Sequence, residues 1–245
     1  MEHDLAGLLD AAFDEMEIEI ATSVKQIREA QRLRYKVYCE GEGYEAGENG
    51  LETDPFDESS RHVLVRARAS GDVLGTVRVV LGTGQSGHSS FPMNRVCDRD
   101  VLAPLPIPAT GEISRFALAR ERPGVSPASA GLMRLFLMRG IVEVSGLHKL
   151  THWCALMEQS LLRLLRSSAI HFQHVGPTIE FRGRRQPSVA TIGTLLDRIQ
   201  LEKPQIWNFI TDQGALWMEP EEQALAVSWL PVTGLQDELL QQAPY

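Results

Sequence analysis

Hydrophobic and polar positions alternate from Met16 to Ile20, the period of a half-buried strand. Ser23 is placed to cap a helix running to about Cys39, with Ile27, Ala30, Leu33, Arg34, Val37 and Tyr38 along one face. Gly41 to Asp57 has four glycines, many acids and no periodicity, which reads as a lid over a site. His62–Arg68 and Val73–Leu81 alternate around Ser70-Gly71-Asp72, the strongest hairpin signal in the chain. Gly82–Ser90 and Pro104–Pro108 read as loops, and Glu112–Ala119 as the next strand. Ser126-Pro127 then opens a helix to about Ser145, with Leu132, Phe136 and Ile141 inward. Lys149–Leu156 is strand-like, Glu158–Ser168 helical and Phe172–Val175 strand-like again, a strand, helix, strand unit. Beyond Arg182-Gly183-Arg184-Arg185-Gln186-Pro187 the pattern predicts a helix from Ser188 to Leu201 and a weaker apolar tail. The chain shows neither an internal repeat nor a low-complexity tract.

These elements predict a protein of the α/β (α+β) class with a central mixed, mostly antiparallel sheet flanked by helices. One domain spans residues 1–210. The tail, 211–245, with Leu216, Trp217, Leu225, Val227, Trp229 and Leu230, packs on the domain or joins a partner subunit in a homodimer. A chain of 245 residues, 43% hydrophobic and 23% charged, can bury such a core. No apolar run approaches the roughly 20 residues that span a bilayer, and Met1-Glu2-His3-Asp4 lacks the order of a secretion signal, so a soluble, cytoplasmic protein is expected. Cys39, Cys97 and Cys154 form no CxxC pair and read as buried thiols. A net charge of −8 argues against nucleic acid as a partner and requires any anionic partner to meet a local basic patch.

The candidate chemistry sits in Gly111-Glu112-Ile113-Ser114-Arg115-Phe116, which reads as a buried strand yet carries both signs of charge. Buried ions must be paired, so the strand either makes a structural network or holds a site. Asp54, Asp57 and Arg78 upstream are matching partners. Pairs of histidines at His148/His152 and His171/His174 lack a recurring acidic or cysteine ligand, so no metal site is expected. There is neither a G-x-S-x-G elbow nor a Walker loop.

The series Leu33-Arg34-Tyr35-Lys36-Val37-Tyr38, Asp54-Pro55-Phe56-Asp57, His62-Val63-Leu64, Gly75-Thr76-Val77-Arg78, Phe91-Pro92 and Glu112-Ile113-Ser114-Arg115-Phe116 resembles the autoinducer-synthase and N-acyl amino acid synthase families. Gly176-Pro177-Thr178-Ile179-Glu180-Phe181 with Gly183-Arg184-Arg185-Gln186-Pro187 is similar to acyltransferases associated with PEP-CTERM and exosortase systems. The likeness covers roughly residues 17 to 210, and the order of elements matches the GNAT fold. It implies a single GNAT-like acyltransferase domain that moves a medium or long acyl chain from acyl carrier protein to the α-amine of an amino acid. No cofactor would be bound permanently; the donor would be the phosphopantetheine arm of the carrier, and the acylated product would associate weakly with membranes.

The resemblance also implies roles. Glu112 would be the base that deprotonates the amine, with Ser114 and Arg115 beside it; a salt bridge from Glu112 to Arg78 or Arg115 is the bland alternative. Arg34, Tyr38 and Tyr44 would line the acceptor pocket, an arginine pairing the substrate carboxylate. Asp54 and Asp57 would hold the lid and orient Arg78 and Arg115, or simply cap the loop. Phe91 and Phe116 would face the acyl tunnel, floored by Met133, Leu137 and Met138, or serve only as packing. Autoinducer synthases place tryptophan at Tyr44, which leans away from S-adenosylmethionine as acceptor. No tyrosine follows the fifth strand, leaving Ser160 or water to protonate the leaving thiolate. Arg120-Glu121-Arg122-Pro123-Gly124-Val125-Ser126-Pro127 departs from the pyrophosphate cradle of acetyl-CoA enzymes, with proline at two positions, which favours a carrier-protein donor. Lys149, Arg163, Arg166, Arg182, Arg184 and Arg185 would dock that acidic carrier, or form an ordinary solvated face. Two other readings stay open: an acyl-homoserine lactone synthase using S-adenosylmethionine, and a non-catalytic binder of acyl chains or of the carrier.

Overall fold

The computed structural model describes residues 3–43, 48–83 and 90–218. Chain order is α1 (His3–Glu15), β1 (Met16–Ile20), α2 (Val24–Arg34), β2 (Ser60–Ala67), β3 (Val73–Leu81), β4 (Thr110–Leu118), α3 (Pro127–Leu147), β5 (His152–Glu158), α4 (Gln159–Ser167), β6 (Gln173–His174), β7 (Ile179–Glu180), β8 (Arg184–Thr191), α5 (Ile192–Glu202) and α6 (Pro204–Thr211). The strands form one mixed sheet in the order β1-β2-β3-β4-β5-β8-β6, with β7 also on β8. Every pairing is antiparallel except β4 with β5.

Local chemistry sets several of these boundaries. Ser23 and Gln26 close a capping box at the start of α2, and the helix continues into a π-helical turn, Tyr35–Glu40. Ser126 accepts from the Ser129 N–H ahead of Pro127, the first residue of α3. Along β2 the side chains alternate: Val63 and Val65 join the main core with Phe136 and Leu137 of α3, while Leu64 meets Ala30 of α2 on the other face. Phe13, Phe136 and Phe209 meet with centroids 5.0–5.5 Å apart and tie α1, α3 and α6 together.

Residues 188–191, expected to open a helix, complete strand β8, and α5 begins only at Ile192. A short apolar run with one small residue does not distinguish the two states, and the ladder to β5 decides it: Cys154 pairs Val189 and Trp153 pairs Ala190. Helices α1 and α6 were not anticipated. Of the tail, Leu216 and Trp217 pack against the main core; residues 219–245, and Tyr44, lie outside the described residues. Among the described residues no helix is long and apolar enough to cross a membrane.

Gly140 of α3 sits against β2 so closely that a Cβ there would lie 2.2 Å from Val63 Cγ1, whereas Gly131 of the same helix has open space around it. Gly140→Ala is expected to lower stability by about 1–3 kcal/mol. Gly131→Ala should raise it by up to about 1 kcal/mol. Urea denaturation of both variants checks the pair, and equal effects would contradict this packing.

Candidate active site

Three guanidiniums and three carboxylates from four segments converge beside β4. Arg34, at the end of α2 and 0% exposed, meets Glu52 through Nε and Nη2, and Asp57 Oδ1 through Nη1 at 2.8 Å. Arg78 of β3, also fully buried, donates Nη1 to Asp54 Oδ1 (2.6 Å) and Asp57 Oδ1 (2.7 Å), and Nε to Ser114 Oγ (3.1 Å). Arg115 reaches Glu52 Oε1 (2.8 Å) and Asp54 Oδ2 (3.0 Å). Gln31 Nε2 donates to Asp57 Oδ2 at 3.1 Å. Asp54 also caps the short helical turn Pro55–Ser59, so the lid segment is fastened by its own carboxylates.

Burial alone would push these carboxyls up, but the surrounding guanidiniums outweigh it. Asp57 is held well below the usual range by Arg34 and Arg78, and Glu52 by Arg34 and Arg115. Asp54 is lowered in the same way by Arg78 and Arg115. The opposite holds for Glu112, 2% exposed on β4: burial raises its pKa to about 8, against lowering by the Met93 N–H, Arg78 and Arg115. Among the described residues its one hydrogen bond is accepted by Oε2 from Met93 N–H, 2.9 Å away.

A bulge places the next residues. Between Thr76 and Arg78 of β3 the partner strand runs from Ala117 to Ser114, one residue longer, and Arg115 takes up the excess at φ 54°. A left-handed non-glycine residue costs about 1–2 kcal/mol. The ion pairs to Glu52 and Asp54 hold it there, and the bulge turns both Ser114 and Arg115 toward the same cavities.

Strands β4 and β5 pair only at Thr110–Glu112 with His152–Cys154, then splay. Glu112 is the last residue of β4 paired with β5. A cavity of about 300 Å³ has Asp54, Phe56, Met93, Arg95, Glu112 and Arg182 in its wall. A second cavity, of about 470 Å³, is lined mostly by apolar residues of β4, α3, β5 and α4, including Phe116, Met138, Met157, Leu161 and Leu165, with Glu42, Arg134, Glu158 and Ser160 among them. Tyr38, Ile113, Ser114, Arg115, Leu156 and Arg185 border both. Burial raises the Tyr38 pKa, so its hydroxyl keeps its proton.

Several expected site residues stand elsewhere. Arg34 faces neither cavity; two carboxylates take its guanidinium, leaving no edge for a substrate. Phe91 is fully buried with Phe56, Val80, Met93, Leu102 and Cys154, away from the apolar cavity, because the turn after it points Met93 to the site instead. Met133 and Leu137 pack against Gly75, and only Met138 of that trio lines the cavity. Arg163, Arg166, Arg182 and Arg184 are exposed, Arg182 on the wall of the smaller cavity, and Arg185 pairs with Glu158 at 3.0 Å. Lys149 precedes β5, whose opposite end meets Arg185, so roughly 20 Å of strand separates it from the others. Ser160 borders the apolar cavity, its Oγ donating to Glu158 Oε2 at 3.3 Å. Among the described residues no group of three His, Cys, Asp or Glu side chains is placed to hold a metal.

Sequence reasoning missed Glu52, one acid among many in an aperiodic loop. It also missed His62, a buried imidazole 3.8 Å from Asp57 whose ring nitrogens have no hydrogen-bond partner among the described residues. Burial lowers its pKa to about 4, keeping it neutral.

Arg34→Ala would leave Glu52 with Arg115 and Asp57 with Arg78 as their only guanidinium partners among the described residues, and is expected to cost about 3–5 kcal/mol, measured by urea denaturation. A loss below about 1 kcal/mol would contradict the paired cluster. Because the three carboxyls are depressed, the stability they contribute is complete above their unfolded values of 3.8 and 4.5 and is lost as pH falls below them. Wild-type unfolding should therefore grow steeply easier below about pH 4, less so in the variant.

The sequence matches the family described as Acetyltransferase (GNAT) domain over residues 33–124. No curated protein matches the chain. Among solved structures, the acyl-homoserine lactone synthase LasI is 20% identical with a TM-score of 0.56, over 71% of this chain and 88% of that one. The CoA-dependent acyl-homoserine lactone synthase MesI is 16% identical with a TM-score of 0.58, over 82% and 97%. FeeM, an N-acyl amino acid synthase from uncultured soil microbes, is 15% identical with a TM-score of 0.55, over 75% and 93%. At these identities the likeness is one of fold. Residues 33–124 thus match a GNAT acetyltransferase domain, and the chain has the fold of the acyl-homoserine lactone synthases LasI and MesI and of FeeM.

Proposed function

We propose that the protein is an N-acyltransferase that moves a medium or long fatty acyl chain from acyl carrier protein to the α-amine of an amino acid. One observation carries this reading: Glu112, where β4 parts from β5, lines a cavity with Asp54, Arg95 and Arg182, and that cavity shares Ile113, Ser114 and Arg115 with a larger one whose remaining walls are mostly apolar. The acyl chain would occupy the larger cavity and present its thioester carbonyl where the strands part. The amine, from the Glu112 cavity, attacks that carbon; the C–N bond forms as the C–S bond breaks, and the amine proton passes to Glu112, directly or through a water. Backbone N–H groups freed where β4 leaves β5 would hold the oxyanion. Ser160 or water would protonate the leaving thiolate.

The start of α3 supports a carrier-protein donor. The Ser126 N–H donates to the Glu15 carboxylate at 2.7 Å, Pro127 has no N–H, and the Ser129 N–H is taken by Ser126 Oγ. A carboxylate already stands where a pyrophosphate would need open donors. The exposed Arg163, Arg166, Arg182 and Arg184, with Leu164 and Phe181 also exposed, would offer an acidic carrier a basic surface, Arg182 standing on the wall of the Glu112 cavity. MesI is CoA-dependent, so acyl-CoA is the donor to compare.

Purified protein incubated with long-chain acyl carrier protein and a mixture of amino acids should yield N-acyl amino acids, read by mass, faster than with acyl-CoA. A lactone from S-adenosylmethionine as sole product would overturn the reading. Glu112 must be deprotonated to act, so kcat/KM should climb with pH to a plateau above about 8. That midpoint should persist when acceptors of different amine pKa are compared. Glu112→Gln should fold, lose roughly 10²–10⁴-fold in turnover and lose the Glu112 limb of the profile. Unchanged turnover would leave a binding protein.

A further inference from the structure

The arginine expected to meet a substrate carboxylate, Arg34, is already committed to Glu52 and Asp57, as Arg78 and Arg115 are to the same cluster. Arg185 is paired with Glu158, and Arg182, which lines the same cavity and lies over the Phe181 ring, has a further partner. Arg95 differs. It lines the Glu112 cavity, and its recorded contact among the described residues is with a ring: its guanidinium lies 4.5 Å from the centroid of Phe56. Stacking uses the flat face of a guanidinium and leaves the in-plane N–H edge to donate.

Phe56 is itself buried within the lid, so the stack fixes where that edge points. The same short turn, Pro92–Arg95, supplies the Met93 N–H that holds Glu112. It is braced by buried Phe91 and Met93, by the Phe91 N–H donating to Asn94 Oδ1 (3.2 Å), and by the Cys97 N–H donating to the Met93 carbonyl (2.9 Å). One rigid element therefore orients the base and, two residues later, presents a guanidinium without a carboxylate partner among the described residues. An α-amino acid carries its amine and carboxylate on one carbon and needs that pair of groups on a common frame.

We propose that Arg95 is the residue that selects a carboxylate-bearing acceptor, its guanidinium edge pairing with that carboxylate while the amine faces Glu112. This rests on the acyl-transfer reading above. It explains how a cavity walled by Asp54 and Glu112 admits an anion: Asp54 is neutralised by Arg78 and Arg115, and Arg95 supplies the uncompensated positive charge.

The test compares amino acid acceptors with the corresponding primary amines lacking the carboxylate, with one acyl donor, in wild type, Arg95→Ala and Arg95→Lys. Arg95→Ala should raise KM for the amino acid about 10- to 100-fold, with kcat at saturation near wild type and KM for the plain amine unchanged. Arg95→Lys should recover part of the loss. An unchanged amino acid KM, or an equal rise for both acceptors, would overturn the assignment. Calorimetry decides it without turnover: wild type should bind an N-acyl amino acid more tightly than the fatty amide of the same chain, and Arg95→Ala should bind the two alike. If wild type binds with that preference yet acylates no amine, the acyl-transfer reading fails and the Arg95 assignment stands. If wild type binds both alike, the assignment fails.

Discussion

The cluster of Arg34, Arg78 and Arg115 with Glu52, Asp54 and Asp57 is the constraint on which the rest of this structure depends. Three positive and three negative groups come together, each guanidinium bridging two carboxylates, so pairing inside one assembly offsets most of the cost of desolvation, with Arg78 Nη2 left without a hydrogen-bond partner among the described residues. The same contacts fasten the 48–59 segment to the sheet and hold the bulge at Arg115. Glu112 is left outside the pairing, and this difference separates its chemistry from that of its neighbours. Four carboxylates stand close together, yet three are pinned in the charged form while the fourth, buried with a single backbone donor, is pushed toward neutrality. Carboxyl groups whose environments drive their pKa values apart are the arrangement from which acid–base roles arise.

The sheet supplies the second constraint. Parallel pairing of β4 with β5 stops at Glu112, and α3 and α4 close over the opened wedge. Glu112 lines the smaller of two cavities that meet along Ile113, Ser114 and Arg115. An amine and a thioester could meet there without either reactant crossing bulk water.

Much of this was legible in the sequence because it rests on local rules. The Ser70-Gly71-Asp72 hairpin, the Ser23 and Ser126-Pro127 helix starts and the mixed-charge strand at Glu112 each carry their own signal. What failed depended on partners distant along the chain. Ser188–Thr191 becomes strand only because β5 pairs with it, and Glu52 is distinguished from neighbouring acids only by the guanidiniums that converge on it. Arg34 has the right side chain to clamp a substrate, but its position on the buried face of α2 gives it to the lid. Arg95, on an exposed turn, shows nothing in sequence to set it apart; its stack on Phe56 does. Lys149 sits with other basic residues in composition, yet the length of β5 carries it to the far end of the sheet.

The ionisation of Glu112 tests the account most directly. Carbon-13 NMR of protein labelled at the glutamate carboxyl, with the resonance assigned by its loss in Glu112→Gln, follows that one group through a pH titration. A midpoint near pH 8 is predicted, while the remaining cluster carboxyl visible in the same spectrum, Glu52, stays ionised to below its ordinary value of 4.5. A Glu112 midpoint at or below 4.5 would mean that the carboxyl is solvated or ion-paired, and the point where β4 parts from β5 would not be the dry acid–base site described.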